Sequence, residues 1–215
     1  MDDIEFDRTL ITSALELAAQ RGWHRVSVAQ AARDAGLPLD RARSRFPGRL
    51  VLLRRLVRMA DRAALAGATE EGSPRDRLFD MLMRRIDVFQ TDREGVLALF
   101  RHLPTDPCLA ALLLAASFRS MGWMLEGAGI AATGARGKLR AKGLLAVWLA
   151  TVHAWRGDAS ADLSATMAAL DRALRRAEQV EGWLAGRRPA GDAPPPSAEA
   201  AAVPETPEDD PSQPD

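Results

Sequence analysis

Val28-Ala29-Gln30-Ala31-Ala32-Arg33-Asp34-Ala35-Gly36-Leu37-Pro38-Leu39-Asp40-Arg41-Ala42-Arg43-Ser44-Arg45-Phe46 is the stretch on which the fold turns. Its spacing is that of two short helices joined by a tight turn. Such a pair needs a small residue where the helices cross, and Ala32 supplies it. Four places later the turn needs a residue that tolerates positive φ, and Gly36 is that residue. Leu39, Ala42 and Phe46 then fall at i, i+3 and i+7 and give the second helix an inward face. Arg41 and Arg45, at i and i+4, fall on its outer side, with Pro38 and Ser44 nearby. A helix presented this way fits a DNA major groove, its arginines bonding phosphates or the O6/N7 edge of guanine. Arg25 and Arg49 flank it. Ser27 opens the supporting helix, where free backbone N–H groups favour a phosphate.

The charge distribution points the same way. The 215 residues carry 29 basic and 29 acidic side chains, yet between Arg21 and Arg58 ten arginines meet only Asp34 and Asp40. That +8 block coincides with the motif, which favours double-stranded DNA as partner over a merely solvated arginine-rich helix. From Arg187 onward the balance inverts, with two arginines, seven acids and eight of the thirteen prolines. This tail holds one large aliphatic residue, Val203, and is expected to be disordered.

Outward from the motif the chain reads as all-α. Apolar residues recur at three- and four-residue steps, and no alternating β-branched run occurs. A first helix is predicted from about Asp7 to Arg21, ended by Gly22; Ser27 is expected to cap a second. Pro47 is placed at the start of a longer helix reaching Ala66. Further helices are predicted over 73–90, 92–103, 107–126, 135–155 and 163–184. Four parts result: a three-helix unit over 1–46, a connecting helix and linker over 47–72, a helical body over 73–186, and the tail over 187–215.

Several chemistries have no support. The single cysteine, Cys108, forms no internal disulfide, and no Cys/His pair repeats at metal-ligand spacing. His24, His102 and His153 lack consistent partners, no glycine-rich phosphate loop occurs, and Arg84-Arg85 beside Asp87 reads as a solvated face. No catalytic set, metal or cofactor is expected. The acidic start, Met1-Asp2-Asp3-Ile4-Glu5, is unlike a signal peptide, and the longest apolar runs, Leu109–Phe118 and Gly143–Val152, span about half a membrane crossing. The expected location is cytoplasmic, without integral membrane association.

From Leu10 to Leu56 the chain resembles the TetR family of bacterial transcriptional regulators. The residues that carry the likeness are Gly22-Trp23, Val26-Ser27-Val28, Ala35-Gly36-Leu37 and Phe46-Pro47-Gly48-Arg49 followed by Leu52. The resemblance implies that Ser27, Arg41, Arg43, Arg45 and Arg49 occupy DNA- or phosphate-contacting positions. It also implies a homodimer paired through helices 135–155 and 163–184, a cavity for a small apolar effector in the body, and a ligand-responsive repressor. Arg43 stands where that family usually has tyrosine, and Asp40 where a small residue is usual. Ala31 and Ala42 replace larger aliphatics.

Phe118, Met121, Trp123, Met124 and Leu125 crowd the middle of the body. Ordinary core with a surface arginine, Arg119, is the better account of them; the alternative is an effector pocket lined by Phe118, Trp123, Met124 and Trp148, with Arg119 meeting a polar or anionic end of the ligand. Between Val147 and Arg172 a second likeness appears. Trp148, Trp155, the turn Asp158-x-Ser160-x-Asp162, Thr166 and Leu170-Asp171-Arg172 look like the ubiquinone-biosynthesis accessory proteins, which share the TetR-like fold. That likeness implies isoprenoid lipid as ligand and no repressor role. The last helix itself has an aliphatic stripe, Leu163, Met167, Leu170, Leu174 and Ala177, and a charged face of mixed sign. That pattern suits packing better than membrane docking.

Overall fold

Asp2 starts the first helix, α1 (Asp3–Arg21), by accepting a hydrogen bond from the Glu5 amide at 2.7 Å. Asp3 and Glu5 add negative charge at the positive end of the helix dipole. The helix therefore begins four residues before the predicted Asp7, and Phe6 joins its buried face with Leu10, Ala14, Leu17 and Ala18. Gly22, at φ +82°, ends it, and Trp23 folds back into the core. The computed structural model describes residues 1–68 and 71–184, and all regular structure among them is helical.

Two short helices follow, α2 (Val28–Asp34) and α3 (Leu39–Arg45). Gly36 sits at φ +65°, its amide bonds to the Arg33 carbonyl at 3.0 Å, and the Leu37 amide bonds to the Ala32 carbonyl at 2.7 Å. These bonds close the turn between them. Ala31, Ala32 and Ala42 are buried, so their small side chains let α2 lie close against α1 and α3 close against α2. Ser13 pins that contact by donating to the Ala31 carbonyl at 3.0 Å. Phe46, also buried, ends α3.

The body comprises α4 (Arg49–Ala66), α5 (Pro74–Thr91), α6 (Arg93–His102), α7 (Pro107–Gly127), α8 (Gly134–Gly157) and α9 (Ser164–Leu184). Pro47 lies outside α4, which begins two residues later behind Gly48. Ser73 and Asp76 form a reciprocal capping box that starts α5. α4 packs on α5 and α7, and α7 on α8. α1 runs along α6, so the three-helix unit sits directly on the body. Residues Met1–Glu178 form one unit, and Gln179–Asp215 a second, of which the described residues show only the end of α9. The acidic tail expected over 187–215 lies outside the described residues.

α7 is longer than its apolar run. The apolar run of ten residues ends before Arg119, but the helix continues to 21 residues, and its most apolar 18-residue stretch has a mean hydropathy of 1.5. Among the described residues it is the one helix long and apolar enough to cross a membrane. Leu109, Ser117, Ser120, Met121, Met124 and Leu125 form its buried side against the body. Leu112, Leu114 and Trp123 remain exposed.

Candidate nucleic-acid interface

α3 does not present its arginines as the spacing predicted. Arg41 and Arg45 turn back onto α1. Arg41 donates to Asp3 Oδ1 at 2.7 Å and to the Met1 carbonyl at 3.3 Å, and its guanidinium lies 4.4 Å from the centroid of the Phe6 ring. Arg45 contacts Asp3 Oδ2 at 2.5 Å and bonds both oxygens of Asp7, at 2.8 and 2.9 Å. Arg55 of α4 reaches the same Asp7 carboxylate. The physical reason is long-range neutralisation. Residues 1–20 carry five acids and one arginine, and they lower the first 58 residues from the +8 of the arginine block to +4. The Arg41 hydrogen bond, followed by the charge of Arg45, holds the Asp3 carboxyl below its usual range.

The remaining expected contacts stay accessible. Arg43 is exposed and has no ion pair among the described residues, and Arg25 and Arg33 share that state. Ser44 is exposed and donates to the Arg41 carbonyl at 3.1 Å. Pro38 is exposed at the N-cap of α3. Ser27 occupies the N-cap of α2, but its side chain makes no capping bond, so the expected cap is formed by backbone position alone. Its hydroxyl is exposed at the start of α2, whose first amides have no partner within the helix. Arg49, the first residue of α4, donates to the His24 carbonyl at 3.2 Å and lies 4.0 Å from Asp106. Asp40, exposed in the first turn of α3, adds one carboxylate to that helix.

The five expected pocket residues divide between two sides of the body. Met124 and Trp148 are buried and Phe118 is half-buried, whereas Trp123 is 63% exposed and Arg119 is exposed as well. Arg119 and Trp123 are four residues apart on the outer side of α7, so no single cavity is lined by all five. Two open clefts, of about 230 and 380 Å³, flank α6 and involve none of them. Arg85, at 1% exposed, is instead a charged group inside the body and not part of the solvated face expected of Arg84-Arg85. Its neighbour Arg84 is the outward member of that pair and reaches the Gly67 carbonyl. Helix phase carries the missing signal: Leu78, Met81, Leu82, Arg85, Ile86 and Phe89 form one buried three-four stripe.

The Asp158 turn has a structural role. Oδ1 accepts from the Ser160 amide and hydroxyl at 3.0 and 2.5 Å, and Oδ2 from the Thr166 amide and hydroxyl at 2.8 and 2.7 Å. Four donors, the Ser160 and Thr166 hydroxyls foremost, hold its carboxyl far below the usual carboxylate range. The carboxylate thus satisfies the first turn of α9. Asp171 pairs with Arg75 of α5 and with Arg175 one turn on. Among the described residues no cluster of three or more His, Cys, Asp or Glu is placed to hold a metal ion.

Comparison with solved structures defines the class of fold. The chain matches a TetR transcriptional regulator from Nitrosomonas europaea with a TM-score of 0.67 and 22% identity, covering 81% of this chain and 99% of that one. It matches a TetR-family regulator from Streptomyces coelicolor with a TM-score of 0.55 and 21% identity, covering 86% and 85%. A transcriptional regulator from a Rhodococcus species matches with a TM-score of 0.54 and 20% identity, over 81% and 96%. The fold is that of the TetR regulators, an N-terminal helix-turn-helix unit followed by a larger helical body. No protein-family model and no curated protein matches the chain.

Proposed function

We propose that this protein is a TetR-like, DNA-binding transcriptional regulator. One observation carries the reading: a helix-turn-helix closed at Gly36 leaves Arg43 and Ser44 of α3, Pro38 at its N-cap and the Ser27 hydroxyl, which caps nothing, all exposed, with Arg49 half-exposed at the start of α4. Phosphates bind at the start of α2 and at Arg49, while Arg43 and Ser44 meet the groove. The protein acts as a homodimer through α8 and α9. In support, α8 leaves Leu139 and Leu149 exposed around the small residues Gly143, Ala146 and Ala150. An effector within the body shifts α4 and changes the spacing of the two α3 helices, which makes the protein a ligand-responsive repressor. The setting of this activity is the cytoplasm. No chemical step is assigned to it.

Selection of bound duplexes from random DNA at near-physiological salt tests this directly. The selected duplex should bind with log affinity falling by about 0.9 per neutralised phosphate for each decade of salt. Arg43→Ala and Arg49→Ala should each weaken it. Retention of no duplex above background, or binding indifferent to both substitutions, would overturn the reading.

A second reading, a lipid-binding accessory protein of ubiquinone biosynthesis, draws on different observations. Arg41 and Arg45 are already neutralised, Asp40 faces out, and α7 exposes Leu112, Leu114 and Trp123. Isoprenoid lipid co-purifying with protein that retains no duplex would favour it.

A further inference from the structure

Arg85 and Asp158 are the two buried charged residues among those described, and they differ in one respect. Asp158 has four hydrogen bonds. Arg85, on α5, has its Nη2 3.3 Å from Asp61 Oδ1 of α4, while its Nε and Nη1 have no hydrogen-bond partner. Trp148 of α8 lies beneath the guanidinium, 4.5 Å from ring centroid to Cζ. A ring face attracts the cation but does not satisfy N–H groups in the guanidinium plane. Asp61 is itself half-held: Oδ2 accepts from Ser120 of α7 at 2.6 Å, whereas Oδ1 accepts no hydrogen bond. Four helices thus meet at a cation whose single counter-ion is partly solvent-exposed and poorly aligned.

Buried charges in proteins are ordinarily paired and fully hydrogen-bonded, because the low-dielectric interior makes an open donor costly. An incompletely paired arginine at the centre of the body is therefore a site prepared for an anion. We propose that Arg85 anchors a monocarboxylate ligand with an apolar body, and that the ligand's carboxylate takes the place of Asp61. One negative charge matches one guanidinium. A phosphate dianion would bring excess charge into a body interior whose buried residues one turn either side of Arg85, Met81 and Phe89, are apolar, as is Trp148 against the guanidinium. Displaced Asp61 moves with α4, the helix that begins at Arg49 beneath the DNA-reading unit. That consequence rests on the regulator reading; the binding itself does not.

Titration calorimetry on the full chain, without DNA, tests the inference with n-alkanoates from butanoate to dodecanoate, each against its alcohol of equal length. At least one alkanoate should bind about tenfold or more tightly than its alcohol, the scale of a charge-assisted bond. Arg85→Met should erase that preference, leaving acid and alcohol alike. Asp61→Asn, which removes the competitor and keeps a hydrogen-bonding group for Ser120, should tighten the acid several-fold. Equal binding of every acid and alcohol by the wild-type chain overturns the inference, as does a preference that survives in Arg85→Met. If Arg85→Met does not fold, Asp61→Asn decides alone, and unchanged or weaker acid binding then counts against it. A chain that shows the Arg85-dependent preference but retains no duplex sinks the regulator reading only. A chain that retains duplex but shows no preference sinks this inference only.

Discussion

Arg45 grips Asp7 through two parallel bonds, Nε to Oδ1 at 2.8 Å and Nη2 to Oδ2 at 2.9 Å, and so ties α3 to α1. Their side chains are 21% and 18% exposed, which places the pair between a solvated surface bridge and a buried one. Arg55 adds a second cation to the same carboxylate. Asp7→Ala removes the counter-charge of both arginines at once. The expected loss of folding stability is about 1–3 kcal/mol, the range for hydrogen bonds to charged groups that are partly shielded from water. Urea denaturation measures it, and a loss of only a few tenths would mean that solvent already screens the network.

Asp3 presents the opposite case, because it is exposed while it occupies Arg41. Asp3→Asn should leave the denaturation midpoint nearly unchanged, since exposed pairs contribute little. It should nevertheless strengthen duplex binding and steepen its salt dependence by about 0.9 for each phosphate that a released arginine gains. Fluorescence anisotropy across a salt series reads both quantities. An unchanged slope would mean that Arg41 keeps to α1, through the Met1 carbonyl and Phe6, even without its acid.

These two aspartates also mark where sequence reading stops. The helix-turn-helix is legible because its determinants are local: a crossing alanine, a glycine at the turn, and an inward stripe within nineteen residues. The helical body is legible for the same reason, through its periodicity and caps. The destination of Arg41 and Arg45 is not legible, because their partners lie 38 residues away and only the fold of the three-helix unit brings them within reach. Arg85 fell between the two cases. Its three-four phase with Met81, Leu82 and Phe89 marks it as inward, but its pairing with the outward Arg84 hides that phase. The likeness of the Asp158 turn to a lipid-binding family shows a further limit, since the residues that carry it cap α9 in the fold itself.

Gly95 reports on how tightly the N-terminal helix-turn-helix unit is seated. A Cβ there would fall well inside contact distance of the Leu15 carbonyl and Cβ, so α6 approaches α1 as only glycine permits. Gly95→Ala should cost about 1–3 kcal/mol by overpacking. Gly122, mid-helix on α7, meets nothing within 4 Å of an added Cβ. Gly122→Ala should stabilise by up to about 1 kcal/mol through helix propensity. Opposite signs in parallel thermal melts are the expected outcome. Two variants with the same sign would mean that α1 and α6 have room to separate.

Asp158 makes stability depend on acid in a definite direction. Its carboxyl in the folded chain titrates far below the ordinary aspartate value because Ser160 and Thr166 bond the ionised form. Asp162 is lowered too, chiefly by the Ser164 amide. A depressed carboxyl binds fewer protons folded than unfolded, so its contribution is complete above the unfolded pKa of about 3.9 and is lost as pH falls through the folded one. Asp158→Asn should therefore melt below the wild type at pH 7, and the gap should close progressively as pH falls below about 5. Calorimetric melts from pH 7 down to the acid limit of folding measure the gap. A difference that stays constant down to that limit would show that the cap acts through neutral hydrogen bonds and not through its charge.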